Sequence, residues 1–239
     1  MGGSPFGGKG AIPNALTCGN LLCGCIGIIC TFTNPEIPTY WFVWVACVFD
    51  FFDGFAARLL KVSSPIGKEL DSLADMVSFG VLPGILMKNL LMASGLTYWS
   101  WIGLLLPVSA ALRLAKFNID TRQSDSFIGV PTPAHALFIC GLPAIMVIAP
   151  FGWFGSYTLI ALTILFSGLM VAPLPLFALK FKTYLWKDNQ LRFIFLLCAV
   201  LLIVFFKAAG LPLAILLYIV LSLLFRLNSL PSPQERGRG

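Results

Sequence analysis

Eight runs of roughly 20 apolar residues, separated by short polar or proline- and glycine-bearing stretches, constrain this 239-residue chain more than any other feature. About that many consecutive apolar residues let a helix cross the hydrocarbon core of a bilayer. Helices also satisfy their own backbone hydrogen bonds where no water is present. The runs fall at 14–32, 39–60, 72–94, 98–118, 133–150, 155–180, 191–207 and 210–228. They predict an all-α, polytopic membrane helix bundle with about eight transmembrane helices. The sixth run contains Pro173 and Pro175, which predict a kink or an early end. One membrane domain over 13–228 is expected, between a flexible tail at 1–12 and a disordered tail at 229–239. Only 11% of residues are charged, against about 25% in a soluble domain, so soluble, disordered and coiled-coil architectures are excluded.

The basic residues supply an orientation. With the N-terminus inside, Lys9, then Arg58, Lys61 and Lys68, then Arg113, Lys116 and Arg122 fall on one side of the bundle. Lys180, Lys182, Lys187, Arg192, Arg226, Arg236 and Arg238 join them, which leaves only Lys88 and Lys207 opposite. Such asymmetry follows the positive-inside rule, so both termini are expected in the cytoplasm, and a prokaryotic cytoplasmic membrane is the expected location. No basic run is interleaved with aromatics in a soluble segment, so the net charge of +6 implies no nucleic-acid partner. Membrane lipids are the natural partners of this charge. Leu22-Cys23-Gly24-Cys25 resembles a lipoprotein cleavage box, but a single preceding lysine and eight spans favour an uncleaved first helix. The seven cysteines are odd in number and lie in apolar stretches without histidine, which reads as packing and not as disulfides or ligands.

Five of the ten acids lie between residues 50 and 75. Asp50 and Asp53 interrupt the apolar run WFVWVACVFDFFDGFAARLL at a spacing of i, i+3, and Asp71 and Asp75 follow at i, i+4, so each pair shares a helix face. A carboxylate at membrane depth costs about 2.5–3.5 kcal/mol even on a lenient scale, so a cluster needs partners. A short turn at 62–67 makes the two helices antiparallel neighbours and predicts that all four carboxylates converge. Salt bridges to Arg58, Lys61 and Lys68 are the plain alternative, but three cations cannot pair with four converging acids. Hard oxygen ligands without His or Cys select Mg²⁺, Mn²⁺ or Ca²⁺, and one or two ions fit. Gly54 and Ala57 leave a helix face bare, Arg58 offers a guanidinium fork, Ser63 and Ser64 add hydroxyls, and Gly67 allows close approach. Together these suggest a nucleotide-activated lipid.

Asp50, Asp53, Gly54, Ala57, Arg58, Gly67, Asp71 and Asp75 stand at spacings that resemble the signature of the CDP-alcohol phosphatidyltransferase family. The resemblance implies a six-helix core around a cytoplasm-facing cavity, two divalent cations (Mg²⁺ or Mn²⁺), a homodimer, and transfer of a phosphatidyl group with release of CMP. It implies that Asp50, Asp53 and Asp71 hold the metals, with Asp75 a ligand or the catalytic base. Gly54, Ala57, Arg58, Ser64 and Gly67 would line the CDP-diacylglycerol site, and Asn14 and Thr17 match the upstream PNxxT element that contacts the diphosphate.

A second polar cluster closes the fourth run, where Arg113 and Lys116 at i, i+3 are expected to point together into the cavity, with Asn118 beside them. The bland reading makes them a helix anchor. RLAKFN followed by Phe127-Ile-Gly-Val-Pro-Thr-Pro133 resembles the branch of the family that uses L-serine, whose carboxylate Arg113 would hold. Glycerol 3-phosphate or an inositol-type acceptor is the alternative, since either also wants cations. His135, the only histidine, has no visible partner and reads as a satisfied interface residue. A divalent-cation transporter is the distant alternative. It predicts acids spread across the bilayer depth, and here they sit at one level beside an arginine.

Overall fold

The computed structural model describes residues 8–119, 127–149, 155–176 and 186–229. The tail residues 1–7 and 230–239 lie outside the described residues, as do Asp120, Arg122, Lys180 and Lys182. Every predicted run contains helix: α1 (Ala11–Thr33), α2 (Tyr40–Leu60), α3 (Pro65–Asp75), α4 (Leu82–Ala93), α5 (Leu105–Ile119), α6 (Thr132–Ile148), α7 (Ser156–Val171), α8 (Trp186–Phe206) and α9 (Gly210–Ser229). A π-helical turn at Met76–Val81 joins α3 to α4, so that one helical stretch runs over Pro65–Ala93. Among the described residues, four stretches are long and apolar enough to span a bilayer, namely Gly8–Thr33, Pro65–Ala93, Trp99–Ile119 and Arg192–Leu224, with the shorter apolar helices Thr132–Ile148 and Ser156–Val171 besides. Large apolar side chains such as Phe51, Phe55, Leu197 and Val204 face outward, where only a hydrocarbon solvent would suit them. The chain is an all-helical integral membrane protein.

Local chemistry sets the helix ends. Helix α3 begins at Pro65 and not near residue 72, because Ser64 caps it: the Gly67 amide donates to Ser64 Oγ at 3.0 Å, and proline fits the first helical position. Lys61 ends α2 in the left-handed region (φ 53°), with its amide turned back to the Ala57 and Arg58 carbonyls. Helix α7 stops at Val171, two residues before Pro173. Beyond it, Pro175–Leu176 pairs antiparallel with Phe127–Ile128 in a two-residue ladder that ties the two loops together. Residues 8–10 of the expected tail form a helical turn, and α1 starts at Ala11.

One face of α1 carries Pro13, Asn14, Thr17, Asn20, Gly24 and Gly27, all buried. This stripe of small and polar residues lets α1 press against both α2 and α3. The turn at 62–67 was expected to make α2 and α3 direct neighbours; instead, α1 is the principal neighbour of each. Gly24 marks the closest approach, since a Cβ there would stand 2.8 Å from Ser78 Cα and 2.9 Å from its amide nitrogen. Behind the π-helical turn, one apolar core joins Val43 and Ala46 to Phe79, Leu82 and Ala136. A second core gathers Met87, Leu106, Ile139 and Phe166, with Phe138 and Phe166 stacked at 4.4 Å.

Candidate active site

The helix pairing brings three carboxylates to one point. Asp50 and Asp53 on α2 and Asp71 on α3 each place an oxygen within 4.8 Å of the others. Helix α1 supplies what holds them. The Thr17 hydroxyl lies 2.7 Å from Asp53 Oδ2 and 3.0 Å from the Pro13 carbonyl, so its single hydrogen is shared between two acceptors. The fourth expected member, Asp75, lies outside that mutual set. One helical turn beyond Asp71, it is buried, and its Oδ1 accepts from Asn20 Nδ2 at 3.0 Å. The Asn20 carbonyl in turn accepts the Ser78 hydroxyl at 2.8 Å. The structure thus divides the acidic cluster into three converging carboxylates and one held deeper by an amide.

The donor set fits a hard divalent cation. Among the described residues no lysine or arginine forms an ion pair with any of the four aspartates, and although Arg113 is within electrostatic reach of Asp75, the three convergent acids repel one another. Asn20 Oδ1 is also buried with no hydrogen-bond partner. Three carboxylates and an orphaned amide oxygen are the ligand types that Mg²⁺ and Mn²⁺ take.

A cavity of about 480 Å³ opens beside the carboxylates, bounded by Asp53 and Asp71. Of the residues expected to bind the activated lipid, Asn14, Thr17, Gly54, Ala57, Ser64 and Gly67 all line it. A Cβ on Gly54 would meet nothing within 4 Å, so that part of the α2 surface is open to a ligand. Gly67 is packed more tightly, with a Cβ position 3.2 Å from Asn14 Oδ1. Ser64 spends its hydroxyl on the α3 cap. Arg58 is exposed and does not line the cavity; Lys68 does, and its Nζ donates to the Asn118 carbonyl at 2.8 Å.

The structure separates the second cluster. Arg113 is only 9% exposed, whereas Lys116 faces outward, so the two do not point together into one space. Asn118 gives its Nδ2 hydrogen to Ser72 Oγ at 2.9 Å and fastens α5 to α3. Arg113 Nη1 reaches the Thr132 hydroxyl at 3.4 Å, and its Nε has no partner. His135 is wholly buried and neither ring nitrogen has a partner, so it is not the satisfied interface residue that its position suggested.

Three further residues contact these side chains or their helices: Asn20 donates to Asp75, Lys68 to the Asn118 carbonyl, and Thr132 receives Arg113. Asn20 was findable, because Asn14, Thr17 and Asn20 recur every third residue in an otherwise apolar helix. A lone amide at membrane depth needs a partner.

An all-helical membrane protein with a carboxylate cluster opening on a cavity is the class that the fold and site define. The CDP-alcohol phosphatidyltransferase family model matches residues 10–205, and the chain belongs to that family. It is 38% identical over 126 residues to the CDP-diacylglycerol–serine O-phosphatidyltransferase of Bacillus subtilis (strain 168), a match covering 51% of this chain and 69% of that protein. Proteins of the same name are similar in Helicobacter pylori (strain J99) and Methanocaldococcus jannaschii. The first is 35% identical over 129 residues, covering 53% of this chain and 54% of the relative. The second is 35% identical over 130 residues, covering 54% and 59%.

Proposed function

We propose that the chain transfers the phosphatidyl group of CDP-diacylglycerol to the hydroxyl of L-serine, giving phosphatidylserine and CMP. The observation that carries this reading is the cavity: one wall holds the carboxylates and another is the open Gly54 face of α2. The similar proteins from three organisms, all serine phosphatidyltransferases by name, support the choice of acceptor.

Asp50, Asp53 and Asp71 would hold two divalent cations, which neutralise the diphosphate charge when bound. Thr17 fixes the rotamer of Asp53, and the Gly54 and Ala57 face admits the flat nucleotide. Serine Oγ forms a bond to the lipid-side phosphorus as the bond from that phosphorus to the bridging oxygen breaks, and CMP departs with the electron pair. The hydroxyl proton passes to a carboxylate. Asp75 is the candidate, because it stands apart from the three convergent acids and is oriented by Asn20. The metal-free side of the cluster is where a base or an orienting group is useful.

The decisive measurement is an acceptor panel. Labelled CDP-diacylglycerol with Mg²⁺ or Mn²⁺ is offered serine, glycerol 3-phosphate, inositol phosphate, inositol or ethanolamine in turn. Serine should give the labelled product. Turnover with glycerol 3-phosphate alone would make the chain a glycerophosphate transferase, and CDP-diacylglycerol left intact with every acceptor would end the reading.

The site and both termini are proposed to face the cytoplasm of a prokaryotic cell, and two chains are proposed to pair as the family resemblance implies. Ser63 is exposed at the cavity mouth. A Ser63→Cys variant in a cysteine-free background should react with permeant but not impermeant thiol reagents in intact cells. Labelling by the impermeant reagent would invert the topology.

A further inference from the structure

His135 lies in the first turn of α6, its amide donating to the Pro131 carbonyl at 3.0 Å while the ring goes into the protein interior. Both ring nitrogens are buried without a partner, and the Phe79 backbone faces the ring without reaching hydrogen-bond geometry. On α5, Arg113 is also short of partners: Nε has none, and Nη1 has one long contact to Thr132 on α6. Arg113 lies within electrostatic reach of both Asp75 and His135. Buried polar atoms are nearly always hydrogen-bonded in native proteins, because leaving them unpaired is costly. Helices α5 and α6 both bear that cost where Arg113 meets Thr132, and Asp75 of the acidic cluster is within electrostatic reach of the same guanidinium.

We propose that Arg113, Thr132 and His135 form the recess that receives the amino-acid end of the acceptor, with His135 as a specificity-determining residue. This rests on serine being the acceptor. Guanidinium has donors only, so the free Nε–H and its neighbour match a carboxylate and cannot accept from an ammonium group. Imidazole carries both a donor and an acceptor, and the acceptor nitrogen suits the ammonium hydrogen that arginine cannot take. Glycerol 3-phosphate offers no ammonium, and with it the imidazole acceptor stays unpaired. Discrimination of this kind is strong where a site is built around polar partners.

His135→Leu tests the assignment while keeping the volume roughly constant. The variant removes two unpartnered nitrogens from the interior, so the unfolding temperature in detergent should hold or rise. The KM for L-serine should rise about 10-fold or more, the equivalent of one lost buried hydrogen bond, while that for CDP-diacylglycerol stays nearly constant. His135→Asn, which keeps a donor and an acceptor, should recover part of the loss, and Arg113→Lys should raise the serine KM alone. An unchanged serine KM in His135→Leu overturns the recess. Equal rises for both substrates with a lower unfolding temperature also overturn it, by making His135 a packing residue. A wild-type chain that does not use serine at all overturns the functional reading and the recess together, whereas serine turnover with an unmoved KM overturns the recess only.

Discussion

Asp53→Asn is expected to lower turnover by more than about 100-fold, and Asp50→Asn and Asp71→Asn by similar factors. The three oxygens meet within 4.8 Å with no ion pair to a basic side chain among the described residues, so each is worth most as a ligand. Losing a group that merely orients a metal ligand costs about 10- to 100-fold, and losing the ligand itself costs more. Thr17→Val should therefore fall in that lower range, since Thr17 acts through Asp53. Chelation of the wild-type enzyme should abolish activity reversibly on return of Mg²⁺ or Mn²⁺, while the Asp53→Asn variant should not be rescued at any ion concentration. Wild-type turnover in any one of the three asparagine variants would remove the metal reading.

Two glycine-to-alanine changes should have opposite consequences. At Gly24 the new methyl would stand 2.8 Å from Ser78 Cα and 2.9 Å from its amide, and neither backbone atom can swing aside as a side-chain tip would. Helix α1 must then shift away from the π-helical turn, at a cost of about 1–3 kcal/mol by analogy with overpacked cores. The same shift draws Asn20 off Asp75, so activity and stability fall together. At Gly54 the methyl meets nothing within 4 Å, and alanine is the better helix former by about 1 kcal/mol. Gly54→Ala should thus keep or raise the unfolding temperature while raising the KM for CDP-diacylglycerol, because it narrows the open face. Thermal unfolding and initial rates on both purified variants check this. A stable, fully active Gly24→Ala would contradict the close packing of α1, and an unaffected KM in Gly54→Ala would remove that face from the lipid site.

The spans and the aspartate pairs were legible in the sequence because both depend on periodicity within one helix. Apolar length reports a span, and spacings of three and four report a shared face. Relations between helices were less legible. Nothing in the sequence of α2 and α3 shows that α1 is the main neighbour of both, because that depends on a stripe of small residues earlier in the chain. Arg113 and Lys116 share a nominal face, yet burial divides them, since the packing of α5 on α7 and the π-helical turn decides which one turns inward. The start of α3 was missed because hydropathy ignores Lys68 and Glu69, while the Ser64-Pro65 cap that begins the helix is a matter of hydrogen bonding. For His135, a residue type and a position could not reveal that both nitrogens lack partners.

The stripe on α1 also bears on the order in which the molecule is made. The carboxylates, the Thr17 and Asn20 side chains that orient them, and the cavity beside them all come from residues 10–75. Arg113 and His135 arrive later, on α5 and α6. Chains are built from the N-terminus and fold as their parts emerge, so a nascent chain less than half complete already brings its like charges together inside the bilayer. The supply of divalent ions at the site of synthesis therefore bears on how much of this enzyme is inserted correctly, and not only on how fast the finished enzyme works.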